Sequence, residues 1–114
     1  MREEIKDKGR LEHILEAIRK VEDYTQGVTQ EQIVDEPMRK HATAYNIQII
    51  GEASYRLTKE FKDSHPETPW RSIEKMRHIL VHDYFAVDTE IMWLVITEDI
   101  PTLKKQIAEY LKEF

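Results

Sequence analysis

Leu11, Ile14, Leu15, Ile18 and Val21 recur at three- and four-residue spacing, the period at which side chains stack on one face of an α-helix. A strand alternates its faces every second residue, so a segment patterned this way excludes one. It predicts a helix from about Glu4 to Tyr24, with Gly27 as its stop. Similar punctuation continues down the chain. Thr29-Gln30-Glu31-Gln32 has the spacing of a capping box for a short helix, and Asp35 or Glu36 with Pro37 in the first turn starts a long one to about Phe61. Lys62 to Glu67, with Ser64 and Pro66, is the most loop-like stretch. Thr68-Pro69 starts the next helix, and Asp88 and Thr89 are N-cap candidates for a further one containing Trp93. Asp99-Ile100-Pro101 is expected to break that helix, leaving a last one to about Leu111 that buries Leu103, Ile107, Tyr110 and Leu111.

No strand alternation, internal repeat or low-complexity tract appears, and three Gly and four Pro leave little room for loops. The fold class predicted is all-α: a single domain over residues 1–114, a helical bundle of about four main helices plus one or two short ones. With no cysteine, disulfides and thiolate metal ligation are excluded, and a reducing cytoplasm is the expected location. The charged N-terminus has no apolar region behind it, and no window approaches the roughly 20 apolar residues that span a bilayer. A soluble protein with no membrane association is expected. A net charge of −5 gives no bulk attraction to nucleic acid. Residues 71–82, however, carry Arg71, Lys75 and Arg77 against a single Glu74, plus His78 and His82. Such a patch suits an enzyme that grips a polyanion in one cleft, and equally a helix surface that carries a small excess of charge by chance.

The segment with most chemistry is Arg77-His78-Ile79-Leu80-Val81-His82-Asp83-Tyr84. A guanidinium can hold a phosphate bidentately, and an imidazole with an ordinary pKa of about 6.5 can take or give a proton near neutrality. Together they could cleave RNA without a metal. A base removes the 2′-hydroxyl proton, the oxygen attacks the adjacent phosphate, an acid protonates the leaving 5′-oxygen, and Arg77 stabilises the charge that builds in between. On an ideal helix His82 projects about 140° from Arg77, so one straight helix does not aim both groups at one phosphate. Two copies facing across a two-fold axis would do so more easily, which makes any site composite. Tyr84, nearly on the face of Arg77, could bond a phosphate or hold His82, or be a half-buried core tyrosine.

In the long third helix, Met38, Ala42, Tyr45, Ile49 and Ala53 are predicted to share an inward face, with Glu52 on it. A carboxylate there needs a partner, either Arg56 one turn on or Arg77 of the motif helix. Gly51 beside it marks a close backbone approach, because Gly inside a helix otherwise costs about 1 kcal/mol against Ala. A metal site is the rival for the histidines: His78 and His82 are spaced as two ligands on one helix face, with Glu74 one turn earlier, though no thiolate or zincin signature accompanies them. His13, His41 and His65 are expected at the surface, and Trp70 and Trp93 as core anchors.

Arg77-x4-His82-x-Tyr84 resembles the Arg-x4-6-His signature of HEPN-domain ribonucleases, and more closely the Arg-x4-His-x-Tyr form of HepT-like toxins. The likeness covers nearly the whole chain: Arg10-Leu11-Glu12-His13-Ile14-Leu15, Ile50-Gly51-Glu52-Ala53, Pro69-Trp70, Met76-Arg77, Leu80-Val81-His82, Tyr84-Phe85, Val87-Asp88, Trp93 and Asp99-Ile100-Pro101-x-Leu103. The resemblance implies a HEPN-like bundle that homodimerises, with the two motif helices lining a cleft. It implies a metal-independent endoribonuclease toxin with no cofactor, in which Arg77 and His82 are catalytic. It also implies an antitoxin partner, a small nucleotidyltransferase of the MNT type that neutralises the toxin by transferring AMP to Tyr84. A bulky anion there would exclude RNA and oppose phosphate binding. An Arg77–Glu52 interaction also fits the family pattern. One departure stands out: relatives commonly carry Asn after the motif Arg, where this chain has His78, a second proton-transfer group or a different polar contact. The alternative from another class is a non-catalytic helical module that holds and assists a nucleotidyltransferase.

Overall fold

The computed structural model describes residues 6–79 and 87–114, and every regular element among them is helical. In chain order these are α1 (Asp7–Thr25), α2 (Gln30–Asp35), α3 (Pro37–Tyr55), α4 (Lys59–Ser64), α5 (Trp70–Glu74), α6 (Met76–Ile79), α7 (Thr89–Leu94), a π-helical turn (Val95–Asp99) and α8 (Ile100–Leu111). The all-α bundle expected from the sequence is what forms. The stripe on α1 is its buried face: Leu11, Ile14, Ile18 and Val21 are fully enclosed and Leu15 partly so. Gly27 ends that segment at φ +70, where a side chain would be strained. The capping box before α2 is made in both directions, with Gln32 N–H on Thr29 Oγ1 at 3.2 Å and Thr29 N–H on Gln32 Oε1 at 2.8 Å. Asp88 caps α7, its carboxylate accepting from Ile91 N–H at 3.0 Å.

The face predicted for α3 is corrected. Met38 is 88% exposed and Tyr45 63%, whereas Thr43, Ala44, Asn46, Ile47, Ile50, Gly51, Ala53 and Ser54 are buried. Apolar residues are spread almost evenly round this helix, so its period singles out no face. Packing decides instead: α3 lies along α1 on one side and beneath α5 and α6 on the other, and small residues permit that double contact.

The helix also ends at Tyr55 rather than near Phe61. Thr58 adopts extended backbone and caps α4, Oγ1 accepting from Phe61 N–H at 3.2 Å. Asp7 of α1 fixes that break by accepting from Thr58 N–H at 2.9 Å and Thr58 Oγ1–H at 2.7 Å. Lys62 to Ser64, read as loop, therefore lie in α4. A further correction falls at Asp99-Ile100-Pro101, which does not break the helix. Pro101 has no N–H and its ring crowds the carbonyl four residues back. A wider turn absorbs the conflict, Ile100 N–H reaching back to Val95 C=O.

The core joins α1, α3 and α8 through Ile47, Ile50, Leu103 and Ile107, closed by Met92 from α7 and by Trp70 and Ile73 from α5. Trp70 is 7% exposed and Trp93 packs against the core from a partly buried position, as anchors should. His13 and His41 are at the surface as expected, but His65 is not: its side chain is 12% exposed, stacked on Phe61. Among the described residues no helix is long and apolar enough to cross a membrane.

Candidate active site

The motif segment starts where α5 gives way to α6. The chain turns at Lys75, whose carbonyl accepts from His78 N–H at 2.9 Å, and Ile73 and Met76 point inward at 3% exposure each. That leaves Arg77 on the rim of the seam with α3. Gly51 sets the distance between the two helices. A Cβ at position 51 would lie 3.0 Å from the Met76 carbonyl carbon and 3.2 Å from Arg77 Cα, and closer still to the Arg77 amide nitrogen. The close approach expected there is real, and it is backbone against backbone.

One turn beyond Gly51, the same edge of α3 carries Tyr55. Arg77 lies over its ring, with Cζ 3.5 Å from the centroid. Arg77 Nε also donates to His78 Nε2 at 3.0 Å. To accept there, the imidazole must be neutral with its proton on Nδ1. Among the described residues Arg77 has no carboxylate partner. Glu52, the residue expected on the buried face, is exposed and accepts from Arg56 Nε at 2.9 Å. Of its two candidate partners, the local i,i+4 pair is the one formed, and Glu52 does not reach Arg77.

The neighbouring charges follow the same logic. Glu74, the one acid in the basic stretch, pairs with Lys62 of α4 at 3.1 Å, both side chains largely buried. Lys62 also donates to the Tyr55 carbonyl at 3.3 Å, which satisfies a free carbonyl at the end of α3 and ties α3, α4 and α5 together. Arg71, Lys75 and His78 are exposed beside Arg77. Among the described residues, Glu52 and Glu74 are thus both engaged by cations other than Arg77.

Of the metal-binding trio read from the sequence, Glu74 is held by Lys62 and His78 Nε2 accepts from Arg77. No group of three or more His, Cys, Asp or Glu among the described residues is arranged to hold a metal ion. His82 and Tyr84, and with them Leu80 and Phe85, lie outside the described residues. Tyr55 is the residue the sequence reading passed over. Its signal was its position four residues after Gly51, which puts it beside whatever backbone the glycine admits.

The family model described as "Ribonuclease HepT-like" matches residues 14–110. A protein of Thermococcus cleftensis named "Probable ribonuclease HepT" is 39% identical over 105 residues, which span 92% of this chain and 96% of that one. A protein of Caldanaerobacter subterraneus subsp. tengcongensis whose name describes an RNase is 39% identical over 103 residues, 90% of this chain and 92% of its own length. A Methanocaldococcus jannaschii protein whose name joins gamma-glutamylcyclotransferase to RNase is 38% identical over 103 residues, 90% of this chain and 46% of that protein. No solved structure matches the chain significantly.

Proposed function

Because this chain belongs to the HepT-like ribonuclease family, we propose that it is a metal-independent endoribonuclease toxin that cuts RNA by internal transesterification. Arg77 and His82 are its catalytic residues, contributed by the two motif helices of a homodimer across one cleft. A proton leaves the 2′-hydroxyl, the 2′-oxygen bonds to phosphorus, the bond from phosphorus to the 5′-oxygen breaks, and that oxygen takes up a proton. Histidine suits both transfers, His82 of each copy facing the cleft. The Arg77 guanidinium stabilises the extra negative charge on the phosphoryl oxygens. The partner is a small nucleotidyltransferase antitoxin of the MNT type, which silences the toxin by transferring AMP to Tyr84.

The observation that carries this reading is the state of Arg77. Its guanidinium lies over an aromatic ring and beside an imidazole, with no carboxylate partner among the described residues, on a chain whose net charge is −5. That is the arrangement a phosphate site needs on an acidic body. Purified protein is incubated with total RNA in excess EDTA, beside Arg77→Ala and His82→Ala. Cleavage is expected to persist in EDTA and to fall about 10²–10³-fold or more in either variant, with melting nearly unchanged. Undiminished cleavage in both variants, or loss of folding in both, overturns the assignment. A wild-type protein that cleaves nothing yet forms a stable complex with the nucleotidyltransferase would instead be a binding module.

A further inference from the structure

An arginine that binds a phosphate faces two problems that pull in opposite directions. Its long side chain must be held still, or each encounter with substrate loses the entropy of ordering it. The usual way to hold an arginine is a carboxylate, which cancels the charge the phosphate needs. The seam between α3 and α6 solves both with uncharged groups. The Tyr55 ring supports one face of the Arg77 guanidinium at 3.5 Å, and the His78 imidazole accepts a hydrogen bond from Arg77 Nε at 3.0 Å. Neither removes positive charge. Glu52, the acid next to Gly51, pairs with Arg56 at 2.9 Å instead.

The support is itself anchored. Tyr55 is the last residue of α3, its carbonyl held by Lys62 at 3.3 Å, and Gly51 one turn earlier brings the Arg77 backbone against the same helix. Tyr55 is 50% exposed and its hydroxyl has no hydrogen-bond partner among the described residues, so the aromatic face is the part in use.

We propose that Tyr55 and His78 are positioning residues that hold Arg77 by its face and by Nε, leaving Nη1 and Nη2 as a preset fork for the phosphate of the RNA substrate. This rests on the reading that Arg77 serves the phosphate in RNA cleavage. It gives His78 a role distinct from proton transfer and adds a residue from outside the motif helix.

The test is steady-state cleavage of a defined RNA by Tyr55→Leu, Tyr55→Phe, His78→Ala and Arg77→Ala, joined to the proton–nitrogen NMR signal of Arg77 Nε. Tyr55→Leu is expected to lower kcat about tenfold with KM within about twofold, the size of a partly exposed cation–π contact. Tyr55→Phe is expected to stay within about twofold of wild type, and His78→Ala to fall about threefold for one lost, solvent-exposed hydrogen bond. The Arg77 Nε signal should shift in Tyr55→Leu and His78→Ala but hardly in Tyr55→Phe. If Arg77→Ala is inactive while Tyr55→Leu keeps full kcat, the clamp is wrong and the ribonuclease reading stands. If Tyr55→Phe fails as badly as Tyr55→Leu, the ring face is not what positions Arg77. If Arg77→Ala cleaves normally, both fall.

Discussion

Two regions of this molecule each bring a histidine and a tyrosine together and do opposite things with them. At one, Phe61, His65, Trp70, Tyr110 and Phe114 form an aromatic knot around the end of α8. At the other, Tyr55, Arg77 and His78 meet at the α3–α6 seam. In the knot every polar atom of the central side chains is engaged. His65 Nδ1 faces the Phe61 carbonyl at 2.8 Å, and Nε2 faces the Glu113 carboxylate at 2.9 and 3.0 Å. The Tyr110 hydroxyl bonds Thr68 at 2.5 Å and Glu67 at 2.9 Å, and Trp70 Nε1 donates to the His65 carbonyl at 2.9 Å. Burial pushes the Tyr110 phenol up to about 12, the Thr68 bond pulling against it and Glu67 adding to the rise. At the seam His78 and Tyr55 are open to solvent, and among the described residues nothing accepts from Nη1 or Nη2 of Arg77. The knot spends the hydrogen-bonding capacity of its histidine and tyrosine, whereas the seam leaves part of its own unspent.

If the knot serves the fold alone, damage to it should cost stability and spare chemistry. Phe61→Ala removes the ring that stacks on His65 at 4.1 Å and meets Trp70 and Tyr110 edge-on at 6.0 and 5.8 Å. A loss of about 3–5 kcal/mol is expected in denaturant unfolding, with RNA cleavage per folded molecule unchanged. A parallel loss of cleavage by the folded fraction would join the two regions into one.

Gly51→Ala attacks the seam and should reverse that ratio. The added methyl meets Arg77 and Met76 backbone, which cannot rotate away. About 1–3 kcal/mol of stability is expected to go, while cleavage falls on the order of 10²-fold as Arg77 is displaced. Retained cleavage in a well-folded Gly51→Ala would show that the docking of α6 on α3 does not position the site.

The seam was partly legible in the sequence, and the knot hardly at all. Gly51 announced a close approach because a mid-helix glycine is costly without a reason. The stripe on α1 was legible because it has one face to bury, whereas α3 packs on two sides and its apolar residues surround it, so the period named the wrong face. Glu52 went to that face with it, when its Arg56 partner lay one turn away on the surface. His65 reads as a surface residue because two of the groups that enclose it, Tyr110 and Glu113, lie more than forty positions along the chain. No local pattern encodes such contacts. The end of α3 was missed for the same reason, since the Asp7 carboxylate that fixes the break comes from α1.

The smallest predicted effect is a pH dependence of stability carried by His65. His65 sits with both ring nitrogens facing acceptors, the Phe61 carbonyl and Ser64 hydroxyl at Nδ1 and the Glu113 carboxylate at Nε2, with Glu67 nearby. Burial alone would lower its pKa, but the Phe61 and Glu113 bonds and the field of Glu113 and Glu67 outweigh it, so the net shift is upward. A histidine whose pKa rises on folding binds its proton more tightly in the folded state. Its contribution is complete below the unfolded value of about 6.5 and disappears as pH climbs through the higher folded value. Wild type should therefore be more stable at pH 5.5 than at pH 8.5 by on the order of 0.5 kcal/mol, modest because Glu113 is half exposed and screened by water. His65→Gln and Glu113→Gln should each flatten that slope in denaturant unfolding, with cleavage kept in both. A slope that survives His65→Gln would assign the proton to another group and make the knot chemically as open as the seam.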